Sequence, residues 1–378
     1  MDKEKGVLIA GGVRRGRRGG ALVSVGLALA IAGCGSSTSG TSGTTAAATT
    51  PTTTTTPATS ATATTPAAAA PPAATLSGSS PAKTALGSVA GAERPVASLF
   101  PPARHRTLPE IGALAGRTAQ LMPAAGVFSP GSDRYAFAVT ASSGEFIYGP
   151  TALYLARSAT APASGPFLAP ADPMGVLARY RSLQNAGPFG LQAIYDSAVP
   201  LPRSGTYAIL ALTRAGGHLI ASPNAIAVAP SWPIPDVGQR PPAIATDTLA
   251  STGGKVSLLT TRSPPESMHS VSFRDVLGKR PIALLFSTPQ LCTSKVCGPV
   301  TDLLVQAQHE FGSRVTFIHQ EVFVDNDPTK GYRPQLKAFH LETEPWLFTI
   351  NRQGVIAARL EGAFGIRELR RAIEAALA

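Results

Sequence analysis

Hydrophobic and polar positions alternate with a period of two along much of residues 96–232. The alternating apolar runs are Tyr135, Phe137 and Val139; Phe146 and Tyr148; Leu153 and Leu155; Tyr207, Ile209 and Ala211; and Leu219, Ile226 and Val228. Clusters of Gly, Pro and Ser separate these runs. Because successive side chains of a strand point to opposite faces of a sheet, the pattern predicts short antiparallel strands packed as a β-sandwich.

One step in this segment specifies the sandwich further. Residues 202–207, Pro-Arg-Ser-Gly-Thr-Tyr, read as a turn followed by the start of a strand. Such a step is common in immunoglobulin-like sandwiches, so we predict that type for residues 96–232. The segment has no cysteine, and His105 and His218 are isolated from other candidate ligands. It is therefore expected to act as a spacer or docking module.

A proline-rich connector over residues 233–245 ends this pattern, because proline restricts itself and the residue before it. Residues 246–378 then alternate between strand and helix patterns. The predicted elements are a buried strand over 281–287, a helix over 299–311, a strand over 314–323, a short helix over 335–340, strands over 346–350 and 355–360, and a helix over 366–377. This order predicts an α/β domain with a small mixed sheet.

The N-terminal residues 1–33 combine a basic start with the apolar run from Ala21 to Ala32, as secretory signals do. The run is too short for a helix to span a hydrocarbon core of ~30 Å. Ile31-Ala32-Gly33-Cys34 resembles the bacterial lipoprotein box, in which the cysteine is acylated. The resemblance implies that Cys34 anchors the protein at the extracytoplasmic face of the cell membrane.

A low-complexity stretch follows this cysteine. From Gly35 to Ala82 every residue except Leu76 is Gly, Ser, Thr, Ala or Pro. Such a composition buries too little apolar area to offset the entropy of ordering the chain. We therefore predict a disordered tether over residues 34–95.

The net charge of +11 is not concentrated in a patch that could bind a nucleic acid. Residues 241–378 carry fifteen basic and thirteen acidic side chains, and no basic stripe with interleaved aromatic residues is present. Nucleic acid is therefore not an expected partner.

Cys292 and Cys297 are the remaining cysteines, in the sequence Phe286-Ser-Thr-Pro-Gln-Leu-Cys292-Thr-Ser-Lys-Val-Cys297-Gly-Pro299. Cysteine depletion with a clustered pair fits an oxidising compartment and predicts a redox pair. Pro299 suits the first helical position, which would put Cys297 near the positive end of a helix. Two cysteines five residues apart on an ideal helix are too distant for a disulfide, so a disulfide requires either that Cys292 lies in a loop or that the first turn of the helix unwinds.

These residues resemble the thioredoxin fold, in particular exported, membrane-tethered thioredoxin-like oxidoreductases. The resemblance rests on cysteines directly after a central strand, on Glu344-Pro345-Trp346 before a second strand, on the Gly354 hairpin and on the closing helix. It implies thiol–disulfide exchange by Cys292 and Cys297 on extracytoplasmic cysteine-containing proteins. It also implies that Pro345, a cis proline in that family, shapes the substrate groove, and that no cofactor and no metal are needed.

The order of the two cysteines stays open at this point. The distance from the strand favours Cys292 as the nucleophile, and the Cys-Gly-Pro sequence at the helix start favours Cys297. The spacing of the pair is also similar to that of the Q-type peroxiredoxins, with Thr288-Pro289 before the first cysteine. One extra residue and the absence of a recognisable catalytic arginine argue against peroxidase activity.

Two other functions remain as alternatives. With His319 or His340 the cysteines would form a soft copper site, as in Sco-type copper chaperones. A fixed disulfide between Cys292 and Cys297 would instead close a non-catalytic interaction scaffold. The reduction potential of the pair separates this scaffold from exchange, because structural disulfides have values below about −300 mV.

Overall fold

Four β-sheets and six helices form the part of the protein that the computed structural model describes, residues 86–187 and 190–378. The strands are β1 (Leu86–Gly87), β2 (Arg117–Thr118), β3 (Gln120–Pro123), β4 (Gly131–Thr140), β5 (Ile147–Tyr148), β6 (Thr151–Ala156), β7 (Ser164–Leu168), β8 (Ala171–Pro173), β9 (Ala193–Leu201), β10 (Gly205–Ala215), β11 (His218–Val228), β12 (Ile282–Phe286), β13 (Thr316–Gln320), β14 (Trp346–Ile350) and β15 (Ile356–Glu361). The helices are α1 (Val89–Ala92), α2 (Leu108–Gly112), α3 (Phe273–Val276), α4 (Cys297–Phe311), α5 (Pro334–Ala338) and α6 (Ile366–Leu377).

The predicted signal segment, the predicted lipidation residue Cys34 and most of the tether predicted over 34–95 lie outside the described residues. The end of that predicted tether, residues 86–95, is described. There β1 pairs in parallel with β5 and α1 follows it. Ala92 is fully buried, so these residues already pack against the folded part of the chain.

Two sheets account for most of the middle segment. Their strand orders are β2-β11-β10-β6-β7 and β3-β4-β9-β8. The alternating runs of the sequence lie in β4, β6, β10 and β11, and the last of these strands joins the separate runs around Leu219 and Ile226. Both sheets contribute to one apolar core, in which Phe137 of β4 stacks on Tyr195 of β9 with ring centroids 5.2 Å apart.

The fourth sheet has the strand order β13-β12-β14-β15, with β12 parallel to β13 and antiparallel to β14. All five residues of β12 are buried because both faces of the sheet are covered. Ala283 and Leu285 belong to the cluster that includes α4 and α6, whereas Leu284 and Phe286 belong to the cluster that includes α3 and α5. This two-sided cover explains why β12 reads as a continuous apolar run.

The middle segment and the C-terminal sheet are joined by buried contacts. One apolar cluster runs through both, and the Arg134 guanidinium donates to the Glu368 carboxylate at 2.5 Å. The proline-rich connector lies along β15, where Gly238 donates to the carbonyl of Ile356 at 2.9 Å. Within the described residues, every helix is too short or too polar to cross a lipid bilayer.

Candidate functional site

The two cysteines lie on the connection between β12 and α4. Cys292 is in a loop, which is one of the two arrangements that permit a disulfide, and its backbone N–H donates to the carbonyl of Thr288 at 3.1 Å. Helix α4 begins at Cys297, with Val296 as its N-cap. The expectation that Pro299 takes the first helical position was wrong, because the helix starts two residues earlier. Cys297 is therefore part of the first turn of the helix.

Cys292 has the environment of a stabilised thiolate. The Cys297 thiol and the backbone N–H groups of Val296 and Cys297 donate to its sulfur, and Ser294 Oγ lies 3.0 Å from it. The Cys297 hydrogen bond is the largest effect, and although burial opposes ionisation, the donors together lower the pKa of Cys292 to about 6. Donors and positive charge at a helix N-terminus favour an anionic sulfur in this way.

Cys297 has the opposite environment. Cys297 is fully buried. This burial raises the pKa of its thiol well above the ordinary value, and the hydrogen bond to Cys292 acts in the same direction. Both cysteines are free thiols in this structure. The site therefore places a thiol of lowered pKa next to a thiol of raised pKa.

Pro345 lies beside this pair because of the register of the sheet. Phe286, the last residue of β12, is opposite Trp346, the first residue of β14. Pro345 precedes Trp346, is buried, and follows Glu344 through a cis peptide bond. This register places Pro345 at the end of the sheet where the chain leaves β12 toward the two cysteines.

Glu344 is a residue of the site that the sequence analysis missed. Burial raises the pKa of its carboxyl to about 7, and the negative charges of Cys292 and Glu321 act in the same direction. Its own charge raises the pKa of Cys297. Its position directly before Pro345 in the sequence was the signal that could have identified Glu344 as a site residue. The site therefore contains an acid that can exchange a proton near neutral pH.

Neither His319 nor His340, the two histidines considered as copper ligands, forms a group with the two cysteines. His319 donates through Nε2 to the carbonyl of Ser287 at 3.0 Å, and its Nδ1 lies 2.5 Å from Glu266 Oε1. His340 is exposed after α5. Among the described residues, Glu266, His269 and His319 are grouped closely enough to hold a metal ion, and this group contains no cysteine. The Glu-x-x-His spacing of 266–269 was a signal that the sequence analysis did not use.

The middle segment covers the start of α4. A Cβ atom added to Gly298 would lie 2.6 Å from the backbone oxygen of Gln184, so only glycine fits there without displacing the backbone of that loop. Asp302, one turn further along the helix, accepts hydrogen bonds from Ser182 N at 2.8 Å and Asn185 Nδ2 at 3.0 Å. Under this cover Cys292 is 1% exposed.

The unequal thiols predict unequal titrations. In the Cys297→Ala variant the ultraviolet absorbance of the Cys292 thiolate should rise with pH at a midpoint above about 6, because the principal donor to the Cys292 sulfur is gone. In the Cys292→Ser variant, thiolate should appear only at strongly alkaline pH. A low midpoint in the Cys292→Ser variant instead would assign the thiolate to Cys297.

Comparison with known proteins assigns no family to this geometry. No protein-family model matches the chain, and a search of curated proteins also gave no match.

Proposed function

We propose that this protein carries out thiol–disulfide exchange, with Cys292 as the attacking sulfur and Cys297 as the resolving sulfur. One observation carries the proposal: the Cys292 sulfur lies at the start of α4, where backbone N–H groups and the Cys297 thiol donate to it. The thiolate is the form that attacks a disulfide, and this arrangement favours it near neutral pH. The protonated state of Cys297 suits a sulfur that reacts second.

The reaction runs in two balanced steps. The Cys292 thiolate attacks one sulfur of a substrate disulfide, which forms a mixed disulfide and releases the other sulfur as a thiolate. Cys297 then loses its proton and attacks Cys292, which forms the Cys292–Cys297 disulfide and releases the second substrate thiolate. The reverse steps oxidise a dithiol. Because Cys292 is 1% exposed, a substrate must displace part of its cover.

A thioredoxin-like fold for residues 246–378 is part of the proposal. Its support is that the cysteines follow the central strand β12 and that Pro345 directly precedes the neighbouring strand β14. A turn in which Gly354 N donates to the carbonyl of Asn351 at 2.9 Å joins β14 to β15, and α6 follows. We propose that Pro345 shapes the groove that receives the substrate segment.

For residues 96–232 we propose an immunoglobulin-like sandwich that serves as a spacer or docking module. The support is the pair of sheets with a common core and the turn before β10. There the Tyr207 hydroxyl accepts from Arg203 N at 3.2 Å and donates to Arg203 O at 3.0 Å. A tyrosine hydroxyl bonded to upstream backbone is a feature of such sandwiches.

We further propose that the substrates are extracytoplasmic cysteine-containing proteins and that Cys34 carries a lipid anchor. The support is the signal-like sequence before Cys34 and the presence of only three cysteines in 378 residues. Exchange between thiols and disulfides needs no cofactor.

Trapping tests the proposed function. We expect Cys297→Ser to accumulate mixed disulfides between Cys292 and protein substrates, because the resolving thiol is absent. The full-length variant is expressed in its membrane-bound form, and adducts are detected as bands that disappear on reduction. Cys292→Ser should give few adducts, since the remaining thiol is buried and protonated.

The double variant Cys292→Ser, Cys297→Ser is the matched control for adducts formed through Cys34. Equal, low adduct levels in all three variants would contradict exchange chemistry. Adducts confined to Cys292→Ser would keep the function and reverse the roles of the two cysteines.

A further inference from the structure

We propose that Glu266, His269 and His319 bind one Zn²⁺ ion. The three side chains come from two segments, since Glu266 and His269 lie before α3 and His319 lies in β13. One ligand atom from each residue lies within 4.8 Å of the other two. Two imidazoles and a carboxylate are a ligand set that suits Zn²⁺.

The orientation of His319 is set from outside the cluster. Its Nε2 lies 3.0 Å from the carbonyl oxygen of Ser287, which can only accept, and 2.9 Å from the hydroxyl of the same residue, which can donate or accept. The tautomer with the proton on Nε2 satisfies both contacts. A neutral His319 ring therefore presents the lone pair of Nδ1 to Glu266 Oε1, 2.5 Å away. A lone pair facing a carboxylate requires a cation between them, either a proton or a metal ion. Ligating histidines are typically held in this way by a carbonyl on the other ring nitrogen.

Glu266 is also held from outside the cluster, whereas Nδ1 of His269 is buried without a hydrogen-bond partner. The outer oxygen of Glu266, Oε2, accepts from Thr260 Oγ1 at 2.9 Å, which leaves Oε1 for the cluster. His269 directs Nε2 to this Oε1 at 2.7 Å. The ligand atoms of the three residues thus point to one common position, and the Thr260 hydroxyl holds the Glu266 carboxylate through its other oxygen.

The surroundings favour a positive ion. Glu321 is fully buried, its Oε2 has no hydrogen-bond partner, and its charge acts on His319. The buried Glu321 carboxylate therefore adds negative charge to the surroundings of a cluster that holds one carboxylate and two imidazoles. A divalent ion offsets this negative charge more completely than a single proton does.

The geometry requires only a small adjustment. Zn²⁺ bonds of 2.0–2.1 Å place tetrahedral ligands about 3.3 Å apart. The present separations from Glu266 Oε1 are 2.5 Å and 2.7 Å, so the carboxylate moves outward by less than about 1 Å. The three side chains are between 0% and 6% exposed, so the cluster is closed to a substrate. The ion would tie residues 266–269 to β13.

Metal content of the full-length protein tests the proposal. The protein is stripped with a chelator, incubated with Zn²⁺ alone and dialysed, and the metal is measured by plasma mass spectrometry. We expect about one Zn²⁺ per chain for the unaltered protein and a loss of that ion in His269→Ala and Glu266→Gln. Thr260→Val, which removes only the hydroxyl behind the carboxylate, should weaken binding by about 10–100-fold.

Two controls separate this site from other ligands in the chain. His340→Ala, which removes an exposed histidine outside the cluster, and the double variant Cys292→Ser, Cys297→Ser should both retain one ion. Loss of the ion in the double cysteine variant would assign it to the thiolates and overturn the proposal. So would an unaltered protein that holds no Zn²⁺ above the level of the dialysis buffer.

Co²⁺ provides a readout that does not depend on any variant folding. Bound in place of Zn²⁺, it should give visible d–d absorption without the near-ultraviolet charge-transfer bands of sulfur ligands. Sulfur bands, or no visible absorption, would contradict a site made of His269, His319 and Glu266.

Discussion

Asp302→Ala is expected to lower the free energy of unfolding by about 3–5 kcal/mol, because it leaves a buried guanidinium without its negatively charged partner. The Asp302 carboxylate is fully buried, and Oδ1 accepts from Arg262 Nε at 2.8 Å. Its Oδ2 accepts from the backbone and the hydroxyl of Ser182 at 2.8 Å and 3.1 Å and from Asn185 at 3.0 Å. Removal of the carboxylate leaves all of these donors unpaired in the interior.

Glu310→Ala is the matched control for this variant, because it removes an acid from the same helix. Glu310 pairs with Arg370 at 2.9 Å, but the two side chains are 39% and 40% exposed. An exposed pair of this kind contributes about 1 kcal/mol or less. Chemical denaturation followed by circular dichroism measures both losses. Equal losses in the two variants would show that the Asp302 contacts do not hold the middle segment to α4.

The elements of the C-terminal sheet could be predicted because their signals are local. The apolar run of β12 and the period of α4 are properties of consecutive residues, and they place Cys292 and Cys297 after a buried strand. Pro345 could be placed beside them because antiparallel pairing of β12 and β14 brings residue 346 opposite residue 286. These three positions follow from pattern and topology alone.

The role of Asp302 could not be predicted, because its partners are remote in sequence. Arg262 and Ser182 precede it by 40 and 120 residues. Within α4 the residue reads as an ordinary polar position in the first turns of a helix. Burial of a charged group depends on which segment covers it, and that information is not contained in local periodicity.

The two sulfurs illustrate the same limit on a smaller scale. Strand spacing favoured Cys292 as the nucleophile and the Cys-Gly-Pro sequence favoured Cys297. The difference between them arises from donors whose positions depend on the fold: Val296 N and Cys297 N point to the Cys292 sulfur, while Cys297 is enclosed. The sequence contains these residues but not the direction of their N–H groups.

Glu344→Gln should slow the resolution of the mixed disulfide by about 100-fold or more, the usual contribution of a general base. Cys297 must lose a proton before it can attack, and burial raises the pKa of its thiol. The Glu344 carboxyl lies close enough to interact electrostatically with both sulfurs, and burial raises its pKa to about 7. In the mixed disulfide Cys292 carries no charge, so one of the effects that raise this pKa is absent, and the ionised Glu344 carboxylate can accept the proton near neutral pH.

The measurement is the decay of a mixed disulfide preformed between Cys292 and a small aromatic disulfide, followed by release of the second aromatic thiolate. In the unaltered protein the decay rate should rise with pH as Glu344 ionises, with a midpoint below about 7, because the Cys292 charge that helps to raise this pKa is absent from the mixed disulfide. In Glu344→Gln that rise should be absent, and the rate should increase only at the higher pH at which Cys297 itself ionises. Glu342→Gln, an exposed acid two positions away, should behave as the unaltered protein does. If Glu344→Gln retains both the rate and its dependence on pH, the proton of Cys297 goes directly to solvent and Glu344 has no part in resolution.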